Sequence, residues 1–512
     1  MTNIEILDCT LRDGGYYNNW QFSRKFASEY LKTISKTSVK TVEIGFRKPI
    51  NNSGSGPSGL KKIGNFLTSS EKFLNKLSIP KNITLGVMID LSDYINKDFK
   101  KNLDKNFPNI QHSKVKYVRI ACNFSDANHL LKIIKFFKNK NYRVAANLMK
   151  FTMLTNKQLN FFLNKANNAG ADTLYLADSF GNCKPEYIKK VAAFLKKKKF
   201  NLKKIGFHSH DNTGNALTNS IEAFKCGFGS IDTSVLGMGR GSGNLKLEDF
   251  LKFLNKNNEI KILKAFNLKH MKPLKIKYKW GKNQFYNYSA KNQIHPTFVQ
   301  RLLEEKKFKK NLIIKILKFL KANNATQYDT NIFDNFFLKT SKIKSLKINF
   351  DKKIAIFCDN KNNKKINIQN LKSKGYTIAS LNLTKFIKKK NLDLVFSSNA
   401  YRVFTEIEEI LKLKKVKLII PKYNLLKNFF KKNKNKITYY NIIKKKNLCI
   451  KKKYCAFNKN LVLVYALSFC LSNNYKNITL FGMTKNLSNL KIIKMLTKKA
   501  TSAGFKFNLL VN

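Results

Sequence analysis

The chain has 512 residues, 43% of them hydrophobic, and carries 99 Lys and Arg against 30 Asp and Glu, a formal net charge of +69. That length allows two or three domains with at least one large core, and no apolar run reaches the ~20 residues of a membrane helix, so no membrane span is expected. The eight cysteines are scattered without CxxC pairs, and the first residues hold neither a basic leader nor an apolar segment. A reduced, cytoplasmic setting without a secretory signal is therefore the expectation.

A charge this high ordinarily points to nucleic acid. Here the excess is nearly all Lys, spread along a chain rich in Asn, Ile and Phe. All four have AT-rich codons, so a solvated surface explains the charge and no nucleic-acid partner is expected. Arginine is scarce, eight in all. Arg12, Arg47, Arg119 and Arg240 therefore stand out as candidates for planar, bidentate binding of carboxylate or phosphate.

From residue 1 to 262, short apolar or β-branched runs alternate with helical stretches. The runs at 4–8, 41–46, 84–89, 117–122, 143–148, 173–177, 204–208 and 230–235 read as strands. Helices are expected at 24–35, 60–76, 127–138, 156–169, 186–196, 216–224 and 247–254. Such alternation predicts a parallel sheet, and eight units in this length fit a (β/α)8 TIM barrel. An open doubly wound sheet would want GxGxxG after its first strand, whereas the residues there are Arg12-Asp13-Gly14-Gly15-Tyr16. Residues 263–344 read as a small helical domain with an aromatic, polar stretch at 278–290. Residues 345–512 read as a separate C-terminal α/β domain, with strands expected at 353–358, 393–396, 417–420, 461–465 and 478–481.

In a barrel, residues at the carboxyl ends of the strands converge on one mouth. Those ends carry Arg12 and Asp13, then Glu43 and Arg47, Asp90, Arg119 and Asn123, Asn147, Asp178 and Ser179, and finally His208 and His210. Residues i and i+2 of a strand share a face, so His208 and His210 aim at one spot where Asp13 can join them. Two imidazoles and a carboxylate beside Arg12 describe an open divalent-metal site with an anion stabiliser. The glycines of 237–244 allow close approach to a ligand, and 51–58 (NSGSGPS within it) suits a lid. Glu43, Arg47, Arg119, Asn147, Asp178, Ser179 and Arg240 are the substrate-binding candidates.

The motifs LDCTLRDGG, VEIGF, LADSFGN, GFHSHDNTGNA and GMGRGSGN occur in this order. In them residues 1–262 resemble the DRE-TIM metallolyases, and within that family the 4-hydroxy-2-oxovalerate aldolases, a likeness that extends to about residue 340. The resemblance implies Mn²⁺ or Mg²⁺ on Asp13, His208 and His210, with Asn244 as a further ligand. It implies Arg12 on an enolate oxygen and Tyr288, with Ser289, reaching the site from the helical extension. The implied substrates are a 2-oxo acid such as pyruvate and an aldehyde, and a homo-oligomer is compatible with it. Where these aldolases carry a His as base, this chain has Tyr16, and a phenol of unperturbed pKa ~10 is a poor base at neutral pH. Tyr16, Tyr17 or a metal-bound hydroxide would take the role, or the substrate differs. The alternatives are a Claisen-type synthase acting on acyl-CoA and a 2-oxo acid, and a non-catalytic barrel module in surface-polysaccharide biosynthesis, which the missing His near position 16 motivates; the C-terminal domain resembles longer aldolase-like proteins associated with that biosynthesis.

Overall fold

The computed structural model describes residues 4–49, 63–95, 99–304, 308–337 and 353–511, the last without 385, 414, 424–435, 445–447, 452–453, 458–460, 484–490 and 503. The expected lid at 51–58 lies outside them. The chain forms two compact units, 1–327 and 328–512. No helix among the described residues is long and apolar enough to cross a membrane.

In the first unit, eight parallel strands close in sequence order. They are β1 Glu5–Asp8, β2 Thr41–Phe46, β3 Thr84–Asp90, β4 Tyr117–Cys122, β5 Arg143–Met149, β6 Thr173–Asp178, β7 Ile205–Ser209 and β8 Ser230–Thr233. β8 closes on β1 with Glu5 opposite Ser230. Nearly every strand residue is buried, as helices cover the outer face and side chains fill the inner one. The barrel is therefore the predicted one.

Two bulky tyrosines, Tyr117 and Tyr175, belong to a small buried cluster with Leu7, Cys9 and Ala145. They fit because neighbouring strands carry glycine. A Cβ on Gly86 would lie 2.7 Å from the Tyr117 ring, and one on Gly206 2.5 Å from the Tyr175 ring. The interior is thus packed by pairing large with absent side chains.

One sequence expectation in this unit is corrected, and one helix was not expected. Residues 63–76 hold a 3-10 turn, Asn65–Leu67, and one short helix, Glu71–Leu74, rather than a long helix. The segment after β1 is itself a helix, Thr10–Asn18, despite Gly14 and Gly15. Each glycine costs a helix about 1 kcal/mol, but the close packing explains both. A Cβ on Gly15 would overlap the Trp20 indole, and one on Gly14 would lie 2.8 Å from the Met238 sulfur. Asn19, left-handed at φ 54°, ends the helix.

Within the same unit, helices Gln284–Lys291, Pro296–Glu304 and Lys310–Ala322 follow the barrel. The first of them touches the barrel loops: the Tyr17 hydroxyl donates to the Gly241 carbonyl and lies 3.5 Å from the Tyr286 hydroxyl.

The second unit contains a seven-stranded parallel sheet. Its strands are β9 Lys353–Phe357, β10 Tyr376–Leu381, β11 Leu394–Phe396, β12 Lys417–Ile420, β13 Ile437–Tyr439, β17 Asn477–Met483 and β18 Lys506–Val511. The spatial order is β13-β12-β11-β10-β9-β17-β18. The short strands β14 Asn441–Lys444, β15 Cys449–Lys451 and β16 Tyr454–Phe457 form a second sheet. The strand expected at 461–465 is instead the start of a helix, Val462–Ser472, whose residues from Leu463 to Cys470 are all buried. A helix apolar on every side has no 3.6-residue rhythm, so its first turn reads like a buried strand.

Candidate active site

The carboxyl ends of β1 and β7 and the loop after β8 bring the expected ligands together. One ligand atom each from Asp13, His208 and His210 lies within 4.8 Å of the other two, all buried. Asp13 Oδ2 and His210 Nδ1 are 3.9 Å apart, and neither has a hydrogen-bond partner. One cation with bonds of ~2.1 Å could span that gap. Asn244 is paired through its backbone with His210, and its Oδ1 is also buried without a partner. A buried, unpartnered oxygen or nitrogen is costly in an apoprotein. Asp13 Oδ2 and His210 Nδ1 facing each other in this state, as donors suited to a divalent ion, is the arrangement a metal would satisfy.

A second cluster, Cys9, His208 and Asp232, shares one histidine with the first. It is the poorer site. Burial pushes the Cys9 thiol well up, so it stays protonated. Asp232 Oδ2 is engaged by His208 Nδ1 at 2.7 Å and by the Arg119 guanidinium. Asp232 thereby fixes the His208 ring, the usual task of a carboxylate behind a ligating imidazole.

The charged groups form a chain through the barrel interior. Arg12 Nη1 donates to Asp13 Oδ1 at 2.6 Å and Nε to Glu43 Oε2 at 2.5 Å. Arg119 lies 4.0 Å from Glu43, bonds Asp232 and covers the Tyr175 ring at 3.8 Å. Three carboxylates and two guanidiniums interleave along this chain of charges, with a third guanidinium, Arg240, beside His210. Burial pushes the Asp13 carboxyl up, but Arg12, His210 and His208 outweigh it and hold it well below the ordinary range. Burial lowers the His210 imidazole far below its ordinary value, with Arg240 helping. Both groups are thus in the deprotonated form that ligation requires. Arg12 Nη2 is buried and unpartnered, a donor reserved for something the protein does not supply.

Other expected residues are placed differently. Arg47 is buried against Phe107, and its guanidinium donates to the Ser69 and Asn106 carbonyls and to Glu71, so it braces the loop after β2. Glu43 is held by Arg12, and Asn147 Oδ1 accepts from Arg119, so all three lie within the barrel network. Asp178 turns back to accept from the N–H groups of Asn182 and Cys183. Ser179 accepts from the Lys150 N–H, while its carbonyl accepts from Arg240 at 3.3 Å. Arg240 also lies over the Tyr16 ring at 5.5 Å and 3.4 Å from His210 Nε2, which puts it at the mouth. On the Gln284–Lys291 helix the inward tyrosine is Tyr286, not Tyr288. Positions two apart on a helix point to different faces, and Tyr288 is only half-buried. Asp232 escaped the sequence reading. Its signal was an acidic residue in mid-strand, where an unpaired charge is prohibitive.

The HMGL-like family model matches residues 99–275. A solved structure, the N-terminal domain of a candidate aldolase from Bacteroides vulgatus, is 30% identical, with a TM-score of 0.51 over 61% of this chain and 99% of that one. The chain belongs to the HMGL-like, or DRE-TIM, family. Curated relatives include a 4-hydroxy-2-oxovalerate aldolase from Geobacillus genomosp. 3, 26% identical over 49% of this chain and 71% of its own length. Another is an oxaloacetate decarboxylase from Mycobacterium tuberculosis, 23% identical over 50% of this chain and 71% of its own. As a DRE-TIM protein the chain is a metal-dependent carbon–carbon lyase. The second unit lies beyond the stretch that the family model matches.

Proposed function

We propose that the site makes or breaks a carbon–carbon bond between a 2-oxo acid and an aldehyde by way of a pyruvate-type enolate. The observation that carries this reading is the cluster of Asp13, His208 and His210, in which Asp13 Oδ2 and His210 Nδ1 are buried, unpartnered and 3.9 Å apart, with further buried, unpartnered atoms on Asn244 and Arg12. Asp13, His208 and His210, with Asn244, would hold a divalent cation, Mn²⁺ or Mg²⁺. Bound there, it would supply Lewis-acid polarisation of the 2-oxo acid.

The chain's own residues have separable tasks. Arg12, aimed by Asp13 and Glu43, offers Nη2 to the enolate oxygen, where charge grows as the bond to the aldehyde carbon breaks. Arg240, beside His210, would bind the carboxylate of the 2-oxo acid. Tyr16 keeps its proton, because burial pushes its phenol up and outweighs Arg240. Its ring serves as the floor under that guanidinium.

The test is exchange of the pyruvate methyl protons in D₂O, followed by ¹H NMR with Mn²⁺, with Mg²⁺ and after chelation. Exchange that depends on the metal is expected, and its absence would remove the enolate from the mechanism. An oxaloacetate decarboxylase among the relatives supports a second substrate reading, since decarboxylation yields the same enolate. Pyruvate release from oxaloacetate, compared with aldol turnover, decides between them.

A further inference from the structure

The chain has two tryptophans, and each spends its indole N–H on a main-chain carbonyl of a segment that carries site residues. Trp20 donates to the Arg12 carbonyl at 2.8 Å. Trp280 donates to the Leu236 carbonyl, in the loop after β8, at 3.0 Å. Trp280 is buried, in the turn between the helices Lys272–Tyr278 and Gln284–Lys291. The residues on both sides of it have positive φ, Lys279 at 56° and Gly281 at 137°. That tight turn ends the first helix and brings the indole back to the barrel loop.

Leu236 is an unusual residue for its position. At φ 48° and ψ 24° it is left-handed, a conformation in which a bulky side chain crowds its own backbone. Its neighbours hold it from both ends. Its carbonyl accepts from Trp280, and its N–H donates to both carboxylate oxygens of Glu248, at 3.2 and 3.0 Å. Glu248 is steadied in turn by Asn267, whose Nδ2 donates to Oε1 at 2.6 Å from a turn of π-helix. The next residue passes the constraint on, since the Gly237 carbonyl accepts the Asn244 N–H at 3.1 Å. Asn244 itself pairs through its backbone with His210. The indole also packs on the returning arm of this loop. A Cβ on Gly243 would overlap the Gly237 carbonyl and lie 3.5 Å from the Trp280 ring. A strained residue persists only where its surroundings over-determine it, and here two side chains are committed to one.

We propose that Trp280 is a positioning residue for the metal ligand set. Its indole N–H, with the Glu248 carboxylate at the other end, holds Leu236 in its strained turn. That turn fixes the start of the loop that carries Arg240, and through Gly237 it sets where Asn244 is presented beside His210. The inference rests on the ligand set proposed above. Trp280 acts through the loop and not on substrate, so the segment after the barrel serves the site by gripping its last loop.

Two substitutions separate the donor from the bulk of the ring. Trp280→Phe keeps a large aromatic side chain and loses the N–H. Trp280→His loses bulk, but its imidazole overlays the five-membered part of the indole and can carry a proton on Nε2 in place of Nε1–H. Mn²⁺ affinity, read by competition with a chelator, is expected to fall roughly tenfold in Trp280→Phe. In Trp280→His the loss should stay below about threefold. Leu236→Asn, which tolerates the left-handed turn, should bring Trp280→Phe back to within about twofold of Leu236→Asn alone. Lost packing at position 280 would show no such rescue. In the metal-free protein, the indole ¹H–¹⁵N signal that disappears in Trp280→Phe should exchange slowly with D₂O. Wild-type affinity in Trp280→Phe, an equal or larger loss in Trp280→His, failure of the rescue, or fast indole exchange overturns the proposal. A wild type that binds no Mn²⁺ removes the ligand set and this proposal with it, whereas binding without pyruvate methyl exchange removes only the enolate reading.

Discussion

Asp232 occupies mid-strand in β8, and its carboxylate joins His208 to Arg119 in a space sealed from water. Without its charge the His208 ring loses the group that sets its tautomer and angle. Asp232→Asn is expected to weaken Mn²⁺ binding roughly 10–100-fold, measured by competition with a chelator. An affinity equal to wild type would show that His208 needs no such anchor. Asp8 is a buried carboxyl with a different role. It accepts from the Thr10 N–H and the Tyr30 hydroxyl, and burial pushes it up to about 6. A raised carboxyl contributes stability that is complete below the unfolded value of ~3.9 and is lost as pH rises through the folded one. Asp8→Asn abolishes that loss. Relative to wild type the variant should therefore gain roughly 1–3 kcal/mol between about pH 4.5 and pH 7.5 in urea unfolding. A constant difference across that window would contradict the assignment.

At the scale of elements, the strands carry the most readable signal, because a barrel strand is buried on both faces and must be a short apolar run. All eight barrel strands lie where their β-branched runs predict, and β2 and β4 match to the residue. Two of the misses share a cause. The Thr10–Asn18 helix holds two glycines that only Trp20 and Met238 justify, and the Val462–Ser472 helix is apolar all round. In both, tertiary packing overrides local preference. The strand β7 makes the packing testable. Gly206→Ala would push a methyl into the Tyr175 ring, which is held in place by Arg119 above it. A loss of about 3 kcal/mol is expected from urea unfolding, as overpacked cores give. A neutral substitution would mean the ring has room to move.

At the scale of the molecule, the first unit has its own core and contains every residue assigned to the site. A fragment of residues 1–327 should therefore fold cooperatively and retain the metal-dependent exchange, as read by thermal melting and NMR. Loss of both would show that the second unit supports the barrel. That second unit has a separate core under its seven-stranded sheet.

The order of the barrel strands, the barrel itself, and the meeting of Asp13 with His208 and His210 were legible from residue patterns. Alternation along a strand and convergence at strand ends are local rules that a one-dimensional string preserves. The duties of the arginines and the inward tyrosine were not. Arg47 looks alike in sequence to Arg12, yet it is taken up by protein partners while Arg12 keeps a buried Nη2 without one. Asp232 gave no motif. Its role comes from His208, 24 positions away, and chain separation of that kind is closed only by folding.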